Sequence, residues 1–136
     1  MDIKRLMTRH PVTVSLDDTL ARVRDLFQRH RFHHLLVVED GRLIGVVSDR
    51  DLLKALSPNL GNLSETTRDR ESLNKRVHQI MSRNLRVLRD DASVEDAIRL
   101  FNSERISCIP IVDENYRAVG ILSWRDVMRA LSATAL

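Results

Sequence analysis

An internal repeat is the feature that most restricts what this 136-residue chain can fold into. Shifted by 74 residues, IKRLMTRHPVTV aligns with VHQIMSRNLRVL, and the stretch beginning DDTLARVRDLF aligns with DASVEDAIRLF. One additional residue near Asn115 changes the shift to 75, so that GVVSDRD (45–51) aligns with GILSWRD (120–126). A repeat of this length indicates two copies of one supersecondary unit, and neither copy buries its apolar faces without the other.

The repeat divides the chain into three parts. Repeat 1 covers residues 1–56 and repeat 2 covers residues 76–136, and we expect the two to form one compact pair. The intervening segment, SPNLGNLSETTRDRESLNK (57–75), is polar and contains Gly and Pro, which are common in connecting segments. We therefore predict that residues 57–75 form a linker outside the core.

Each repeat has the same predicted order of elements. A short extended piece precedes a helix whose predicted N-cap is Thr19 or Ser93, and Ser93 and Asp96 have the spacing of a capping box. The β-rich runs LLVVE and IPIVD lead through a turn into a second strand, which is followed by a second helix, DLLKAL or DVMRAL. The sequence therefore predicts an α/β fold of two β-α-β-β-α repeats packed about a pseudo-two-fold axis.

Composition argues against several classes of protein. The net charge is +3, but 19 of the 22 basic residues are arginines scattered among 19 acidic residues, and aromatic residues make up only 4%. Nucleic-acid binders concentrate basic residues on one face and use aromatic platforms, so we do not expect nucleic-acid binding. No apolar run reaches the roughly 18 residues of a membrane span, and no secretory signal pattern opens the sequence. With Cys108 as the single cysteine, we expect a cytoplasmic protein.

The duplicated heptad allows two interpretations. A serine followed three residues later by an aspartate, ahead of an apolar helix, has the spacing of a capping box and needs no ligand. The same helix start also suits a nucleoside phosphate, because free N–H groups attract an anion and an ionised aspartate accepts hydrogen bonds from ribose hydroxyls. A glycine three residues before the serine lets a ligand approach the backbone. The residues concerned are Gly45, Ser48 and Asp51 in repeat 1, and Gly120, Ser123 and Asp126 in repeat 2.

The doubled motif G-x-x-S-x-R-D, with VVED or IVDE and the Met-Thr or Met-Ser openings, resembles a tandem pair of CBS (cystathionine-β-synthase) domains. The resemblance implies a stand-alone regulatory module that binds an adenosine-containing ligand, such as AMP, ADP or ATP, in clefts between the repeats. It implies that Asp51 and Asp126 hold the ribose and that Ser48 and Ser123 lie near ribose or phosphate. It also implies a homodimer, as a disc of four repeats, and a separate regulated partner protein.

The resemblance further assigns the walls of the two clefts. On this basis, Asp126 is expected to face Thr8, Val12, Thr13 and Phe32, whereas Asp51 is expected to face Ser82, Arg86, Val87 and Ile106. The position that meets phosphate in relatives holds His33 and His34 in repeat 1 and Ser107 and Cys108 in repeat 2, so the sites are expected to differ. Departures from the family pattern are Leu36, which replaces a proline present as Pro110 in repeat 2, and the heptad residues Asp49 and Trp124.

Other functions have weaker support. His30, His33 and His34 have a spacing that can bind a metal on a helix, but the helix is predicted to end near Arg31, so we expect no metal site. No pattern pairs a nucleophile with a base, and Cys108 at the edge of an apolar strand is expected to be inert. We therefore expect neither an enzyme nor a cofactor besides the regulatory nucleotide. The alternative function is a dimerisation or scaffolding module with no physiological nucleotide ligand.

Overall fold

The computed structural model describes residues 2–135. Within them the strands are β1 (Thr8–Arg9), β2 (Thr13–Val14), β3 (His34–Glu39), β4 (Arg42–Ser48), β5 (Leu88–Arg89), β6 (Cys108–Val112) and β7 (Ala118–Ser123). The helices are α1 (Leu20–Arg29), α2 (Asp49–Ala55), α3 (Thr67–Glu71), α4 (Val94–Ser103) and α5 (Trp124–Ala135). Repeat 1 contains β2-α1-β3-β4-α2 and repeat 2 contains β5-α4-β6-β7-α5, which confirms the predicted α/β fold class.

Capping residues set where the first helix of each repeat begins. Thr19 Oγ1 accepts a hydrogen bond from the Arg22 backbone N–H at 3.3 Å, so Thr19 is the N-cap of α1, as predicted. Ser93 and Asp96 form the predicted capping box of α4, with reciprocal hydrogen bonds of 3.0 and 3.1 Å. No helix in residues 2–135 has the length and apolar character needed to cross a membrane.

The chain packs as two compact units, and each contains parts of both repeats. Unit 1 consists of the N-terminal segment up to Pro11, Gly41–Leu43, and the chain from Arg86 onward. Its sheet has the order β1-β7-β6-β5, in which β6 is parallel to β5 and antiparallel to β7. β1 runs antiparallel to β7 at the edge of this sheet. The core of unit 1 comprises Ile3, Val94, Ala97, Ile109, Ile111, Leu122 and Val127.

Unit 2 consists of Val12–Asp40 and Ile44–Leu85. Its sheet has the order β2-β3-β4, with β2 parallel to β3 and Thr13 opposite Leu36. The central strand β3 is apolar on both faces, and Leu36, at the position where the resemblance predicts a proline, is fully buried. The buried core of unit 2 comprises Val14, Leu20, Val23, Leu26, Leu35, Val37, Val47, Leu52, Val77 and Met81.

Each core depends on a short segment from the other repeat. Ile3 precedes repeat 1's first helix but is fully buried in unit 1, among the strands and helices of repeat 2. Val77 and Met81 open repeat 2 but are buried in unit 2. Full burial of such a side chain contributes about 1.5–3 kcal/mol. The compact units therefore do not coincide with the sequence repeats, whose boundaries at 1–56 and 76–136 remain a proposal.

The segment between the repeats contains regular structure of its own. α3 lies inside it and begins with a capping box formed by Thr66 and Asp69. Asp69 Oδ1 also accepts a hydrogen bond from Ser57 Oγ at 2.6 Å, and this bond is the main cause of the lowered pKa of Asp69. Lys75 Nζ donates to the Ala55 carbonyl oxygen at 2.9 Å. Both ends of the segment are thus held by hydrogen bonds.

Candidate functional site

The first candidate site lies in unit 2, where β4 leads into α2. β4 ends at Ser48 and α2 begins at Asp49, without an intervening loop. The Ser48 backbone N–H donates to Asp51 Oδ2 at 2.9 Å, and the Asp51 backbone N–H donates to Ser48 Oγ at 3.0 Å. The heptad therefore does form a closed capping box. Asp51 Oδ1 accepts no hydrogen bond from the residues that the structure describes.

The second candidate site repeats this arrangement in unit 1, where β7 ends at Ser123 and α5 begins. The Ser123 backbone N–H donates to Asp126 Oδ2 at 2.8 Å, and the Asp126 backbone N–H donates to Ser123 Oγ at 3.2 Å. The other carboxylate oxygen, Oδ1, accepts a hydrogen bond from Arg129 Nη2 at 3.1 Å. The two sites share their capping geometry but differ at the second oxygen of the aspartate.

A segment from the other repeat runs beside each of these strands. In unit 2 the backbones of Val46 and Ser82 exchange two hydrogen bonds, of 3.1 and 2.9 Å. In unit 1 Thr8 pairs with Ile121, which is the equivalent register in the repeat alignment. The structure therefore brings two of the predicted wall residues beside the strands that lead into the boxes. Ser82 lies beside β4 and Thr8 lies beside β7.

The two heptad glycines make room for methionine side chains. A Cβ atom on Gly45 would lie 2.6 Å from Met81 Sδ, and a Cβ atom on Gly120 would meet Met7 Sδ in the same way. Each methionine belongs to the opening of the other repeat, and the two are equivalent in the repeat alignment. Glycine is therefore required here for packing, and the predicted close approach of a ligand to the backbone remains a separate, untested role.

Two histidines and a carboxylate lie together at the start of β3. His33 Nδ1 is 2.9 Å from Asp49 Oδ2, so the heptad residue particular to repeat 1 is paired with a histidine. Burial lowers the pKa of His34, with a smaller lowering effect from His33, whereas the carboxylates of Asp49 and Asp51 act in the opposite direction. The imidazole of His34 is thus within electrostatic reach of the Asp51 box.

In repeat 2 the position of these two histidines is occupied by Ser107 and Cys108, which carry no charge. The Ser107 carbonyl oxygen accepts a hydrogen bond from the Trp124 backbone N–H at 3.2 Å, as the His33 carbonyl oxygen does from Asp49 at 2.9 Å. Burial raises the pKa of the Cys108 thiol to about 12, so the thiol is protonated at neutral pH. The backbone is the same in both repeats at this point, and the side-chain charge differs.

The other predicted wall residues lie in the unit opposite to the aspartate they are expected to face. Val12, Thr13 and Phe32 belong to unit 2 together with Asp51, and Arg86, Val87 and Ile106 belong to unit 1 together with Asp126. All six are partly buried. Arg86 is paired with Glu104 through an Nε to Oε1 contact of 3.2 Å. The orientation of these residues toward the two aspartates remains a prediction.

The three histidines with metal-ligand spacing do not share a helix face. α1 ends at Arg29, and His30 already has an extended backbone with φ −124° and ψ 161°. The His30 ring stacks on Phe32 with 4.9 Å between ring centroids. Residues spaced three and four apart lie on one face only within a continuous helix. Here α1 ends at Arg29, before all three histidines.

Each site therefore presents carboxylate and hydroxyl oxygens at a helix start, a chemistry suited to recognising hydroxyl groups on a ligand. Three contributing residues were missed from the sequence: Met7, Met81 and Arg129. The repeat alignment places Met7 over Met81 and so contained a signal for the methionines. The signal for Arg129 is its position three residues after Asp126, a spacing at which helical side chains meet.

A model of the CBS domain family matches residues 3–58 and 77–133, which are the two repeats. The match covers most of the chain and includes both boxes and both opening segments. The chain belongs to the CBS domain family.

Curated relatives differ in how much of their length the chain spans. A CBS domain-containing protein of Dictyostelium discoideum is 31% identical over 131 residues, which is 95% of this chain and 90% of the relative. An uncharacterized protein of Methanocaldococcus jannaschii is 29% identical over 124 residues, which is 90% of this chain but 44% of the relative. The chain spans only 22% of the L-aspartate semialdehyde sulfurtransferase of the same organism, at 26% identity.

Similar solved structures contain adenosine compounds. CBSX2, solved in complex with AMP, has a TM-score of 0.81 and 27% identity, covering 99% of this chain and 98% of that one. The CBS domain pair of protein MJ0100, solved with 5′-methylthioadenosine and S-adenosyl-L-methionine, has a TM-score of 0.78 and 26% identity, covering 98% of both chains. The cytosolic domain of the Mg²⁺ channel MgtE, solved with ATP, has a TM-score of 0.76 and 29% identity, covering 95% of this chain and 48% of that one.

Proposed function

We propose that this chain is a regulatory module that binds an adenosine nucleotide at the two strand-to-helix boxes and thereby modulates a separate partner protein. The observation that carries the proposal is a duplicated arrangement. In each unit, a serine and an aspartate close a capping box at a helix start, and the strand that leads into the box lies beside a segment from the other repeat. Similarity to CBS pairs solved with AMP, ATP and S-adenosyl-L-methionine supports adenosine as the common part of the ligand.

Helix capping and ribose binding are compatible at these aspartates. Each carboxylate oxygen has two lone pairs, so Oδ2 of Asp51 can keep its bond to the Ser48 backbone while Oδ1 accepts from a ribose hydroxyl. The Ser48 hydroxyl accepts a hydrogen bond from the Asp51 N–H and still has its own proton to donate. We propose the same roles for Asp126 and Ser123.

The remaining contacts of the proposed sites come from the residues around the two boxes. His33 and His34 are proposed phosphate contacts, and Ser107 and Cys108 occupy that position in repeat 2 without a charge. The proposed adenine walls are Thr8, Val12, Thr13 and Phe32 for one site and Ser82, Arg86, Val87 and Ile106 for the other. The partly buried apolar members of these walls suit the flat face of a base.

A second candidate function is a dimerisation or scaffolding module with no physiological nucleotide ligand. The observation in its favour is that both boxes are closed by the protein's own atoms. The box of Ser93 and Asp96 on α4 has the same geometry and lies outside the heptads. A closed box stabilises its helix whether or not a ligand binds.

Calorimetric titration of ligand-free protein with AMP, ADP and ATP distinguishes the two functions. We expect Asp51→Asn and Asp126→Asn each to weaken one site by about 10- to 150-fold, because a charge-assisted hydrogen bond to ribose is lost. We expect the double variant not to bind measurably. Asp96→Asn is the matched control, since it alters a capping box of the same geometry on a helix outside the heptads.

The decisive comparison is between the double variant and the control. If the double variant remains folded and binds nucleotide with wild-type affinity, the ribose assignment is wrong and the heptads act only as capping boxes. If the wild-type chain binds none of the three nucleotides, the scaffolding function stands. If Asp96→Asn weakens binding as much as the heptad variants do, the effect comes from lost helix stability and not from a ribose contact.

We also propose that two copies of the chain associate through α5. Trp124, Met128 and Leu131 are each about half exposed, and their spacing of four and three residues places them on one side of the helix. Leu53, at the equivalent position of α2, is also exposed. An apolar stripe of this kind is typical of a protein interface.

Sedimentation velocity at micromolar concentration tests this association. We expect the wild-type chain to sediment as a dimer and Met128→Glu to sediment as a monomer, because a charge would be buried in the interface. Leu63→Glu is the control, since Leu63 is fully exposed outside the helices and should leave the dimer intact. A monomeric wild-type chain at these concentrations would contradict the proposal.

We propose further that the protein is cytoplasmic and that its contact with the regulated partner depends on the nucleotide. A cytoplasmic location agrees with a single cysteine held as a free thiol. Immobilised protein, incubated with a cytoplasmic extract of its source cells with and without AMP, should retain the partner in a nucleotide-dependent manner. Retention that is identical in both conditions would count against nucleotide regulation.

A further inference from the structure

Asp126 is engaged at both of its carboxylate oxygens. Oδ2 accepts from the Ser123 backbone N–H at 2.8 Å, and Oδ1 accepts from Arg129 Nη2 at 3.1 Å. The Asp126 side chain is 15% exposed, whereas the Arg129 side chain is 78% exposed and is anchored only at its tip. The oxygen that the capping box leaves open to a ligand is therefore already occupied by an exposed cation of the same helix.

The equivalent oxygen of Asp51 is open. Its Oδ2 is held by the Ser48 backbone, but Oδ1 accepts no hydrogen bond from residues 2–135. The residue three positions later is Lys54, and it forms no ion pair with Asp51 in the described part of the chain. A lysine is a point charge on a flexible stem, whereas the guanidinium of arginine presents a fork of donors that fits a carboxylate. At this matched position, three residues after the aspartate, one site has a lysine and the other an arginine that pairs with the carboxylate.

We propose that Arg129 acts as an internal competitor for the ribose-binding oxygen of Asp126 and thereby weakens ribose binding at this site. This inference rests on the proposed function. A ribose hydroxyl must displace Arg129 before it can reach Oδ1, whereas it reaches Oδ1 of Asp51 directly.

The size of the effect follows from the exposure of the pair. An ion pair with one exposed partner has a modest strength, which corresponds to about a two- to five-fold change in an equilibrium constant. The competition therefore lowers the affinity of the Asp126 site for ribose without preventing binding there. Because Arg129 is a cation, removing it also weakens attraction for phosphate, so the competition is measured most cleanly with an uncharged ligand.

Titration of Asp51→Asn protein with adenosine measures the Asp126 site alone. In this background we expect Arg129→Gln to raise the affinity for adenosine about two- to five-fold, and Arg129→Lys to raise it by a smaller factor. The gain should be smaller for 2′-deoxyadenosine, which lacks one of the ribose hydroxyls. Arg99→Gln is the matched control, because Arg99 makes the same contact to the box residue Asp96 at 2.7 Å and should not change adenosine affinity.

AMP binding by the Asp51→Asn protein distinguishes failure of the proposed binding site from failure of the Arg129 competition. If this protein does not bind AMP, both the proposed site at Asp126 and the competition are wrong. If it binds AMP but Arg129→Gln leaves adenosine affinity unchanged or lowers it, only the competition is wrong. An equal gain for adenosine and 2′-deoxyadenosine would also overturn it, because the competition acts on the ribose hydroxyls.

Discussion

At the residue scale, each heptad both caps a helix and packs closely against a methionine side chain. The serine and aspartate close a capping box, and the glycine accepts a methionine side chain against its backbone. Residues that are common to the two repeats satisfy these shared demands. Residues that differ, such as His34 and Arg129, change the charge around the aspartates and so distinguish the two sites.

We expect His34 to make stability depend on pH. Burial lowers its pKa in the folded chain below the ordinary value of 6.5, with Asp49 and Asp51 opposing and His33 assisting that shift. The unfolded chain therefore binds the proton more readily, so the stabilising contribution is complete above pH 6.5 and decreases as the pH falls below 6.5 toward the folded pKa. His34→Gln should flatten this part of the profile of unfolding free energy against pH.

Urea denaturation at pH 7.5 and pH 5.5 measures the effect. His78→Gln is a suitable control, because His78 is exposed and takes no part in this group of charges. A profile of His34→Gln as steep as that of the wild-type chain would show that the pH dependence arises elsewhere.

We expect the two heptad glycines to differ in their tolerance of alanine. A Cβ atom on Gly45 would lie 2.6 Å from the sulfur of the buried Met81 and 3.1 Å from the Ser82 backbone carbonyl oxygen. The three atoms nearest to a Cβ atom on Gly120 all belong to the side chain of Met7, which is less buried than Met81 and can change rotamer. Gly45→Ala should therefore cost about 1–3 kcal/mol, the usual range for overpacking, and Gly120→Ala should cost less. Chemical denaturation checks the order, and a larger loss for Gly120→Ala would contradict the packing explanation.

At the element scale, helix starts are the best-defined local features of the chain. α2, α3, α4 and α5 all begin with a serine or threonine whose oxygen accepts from the backbone N–H three residues later, and an aspartate at that position returns the bond. α1 has the same cap from Thr19 without the returning aspartate. Local hydrogen bonding thus sets where each helix begins.

Ser93 offers a test of this cap away from the proposed sites. Ser93→Ala should destabilise the chain by about 1 kcal/mol, because the Asp96 backbone N–H at the start of α4 loses its acceptor, Ser93 Oγ. Ser93→Gly should cost only a few tenths of a kcal/mol, since glycine is itself tolerated at the N-cap. Thermal denaturation of both variants gives the comparison, and equal losses would show that the serine acts through something other than capping.

At the scale of the whole molecule, the two sequence repeats exchange their opening segments, which gives the two packing units. Unit 2 is continuous in sequence apart from Gly41–Leu43, and all of its buried core lies within residues 12–85. Repeat 1 as a sequence unit, residues 1–56, lacks the buried Val77 and Met81. Cutting the chain at the repeat boundary therefore removes core residues, whereas cutting it at the boundary of unit 2 keeps them.

Two fragments of the chain test this exchange. The fragment 12–85 should show helical circular dichroism and a cooperative thermal transition, because it retains the ten buried core residues of unit 2. The fragment 1–56 should show no cooperative transition. A cooperative transition in 1–56 together with none in 12–85 would mean that the sequence repeat, and not the packing unit, is the folding unit.

The sequence by itself determined the features that depend on near neighbours. The repeat, the β-α-β-β-α order, the N-caps Thr19 and Ser93 and the doubled box follow from spacings of a few residues, and the structure confirms them. These features are readable because helix periodicity, strand runs and capping act over one or two turns of chain. The resemblance to CBS pairs then supplied the expectation that residues of both repeats meet at each site.

Only the tertiary structure decided what depends on distant neighbours. The two opening segments share a similar apolar pattern around an aligned methionine, so local pattern cannot tell which sheet each one joins. The packing of Met7 on Gly120 and of Met81 on Gly45 shows the choice. The ion pair of Arg129 with Asp126 and the burial of His34 likewise depend on the folded environment. Spacing shows that two side chains can meet, but burial and competing partners decide which contacts form and how strongly each charge is held.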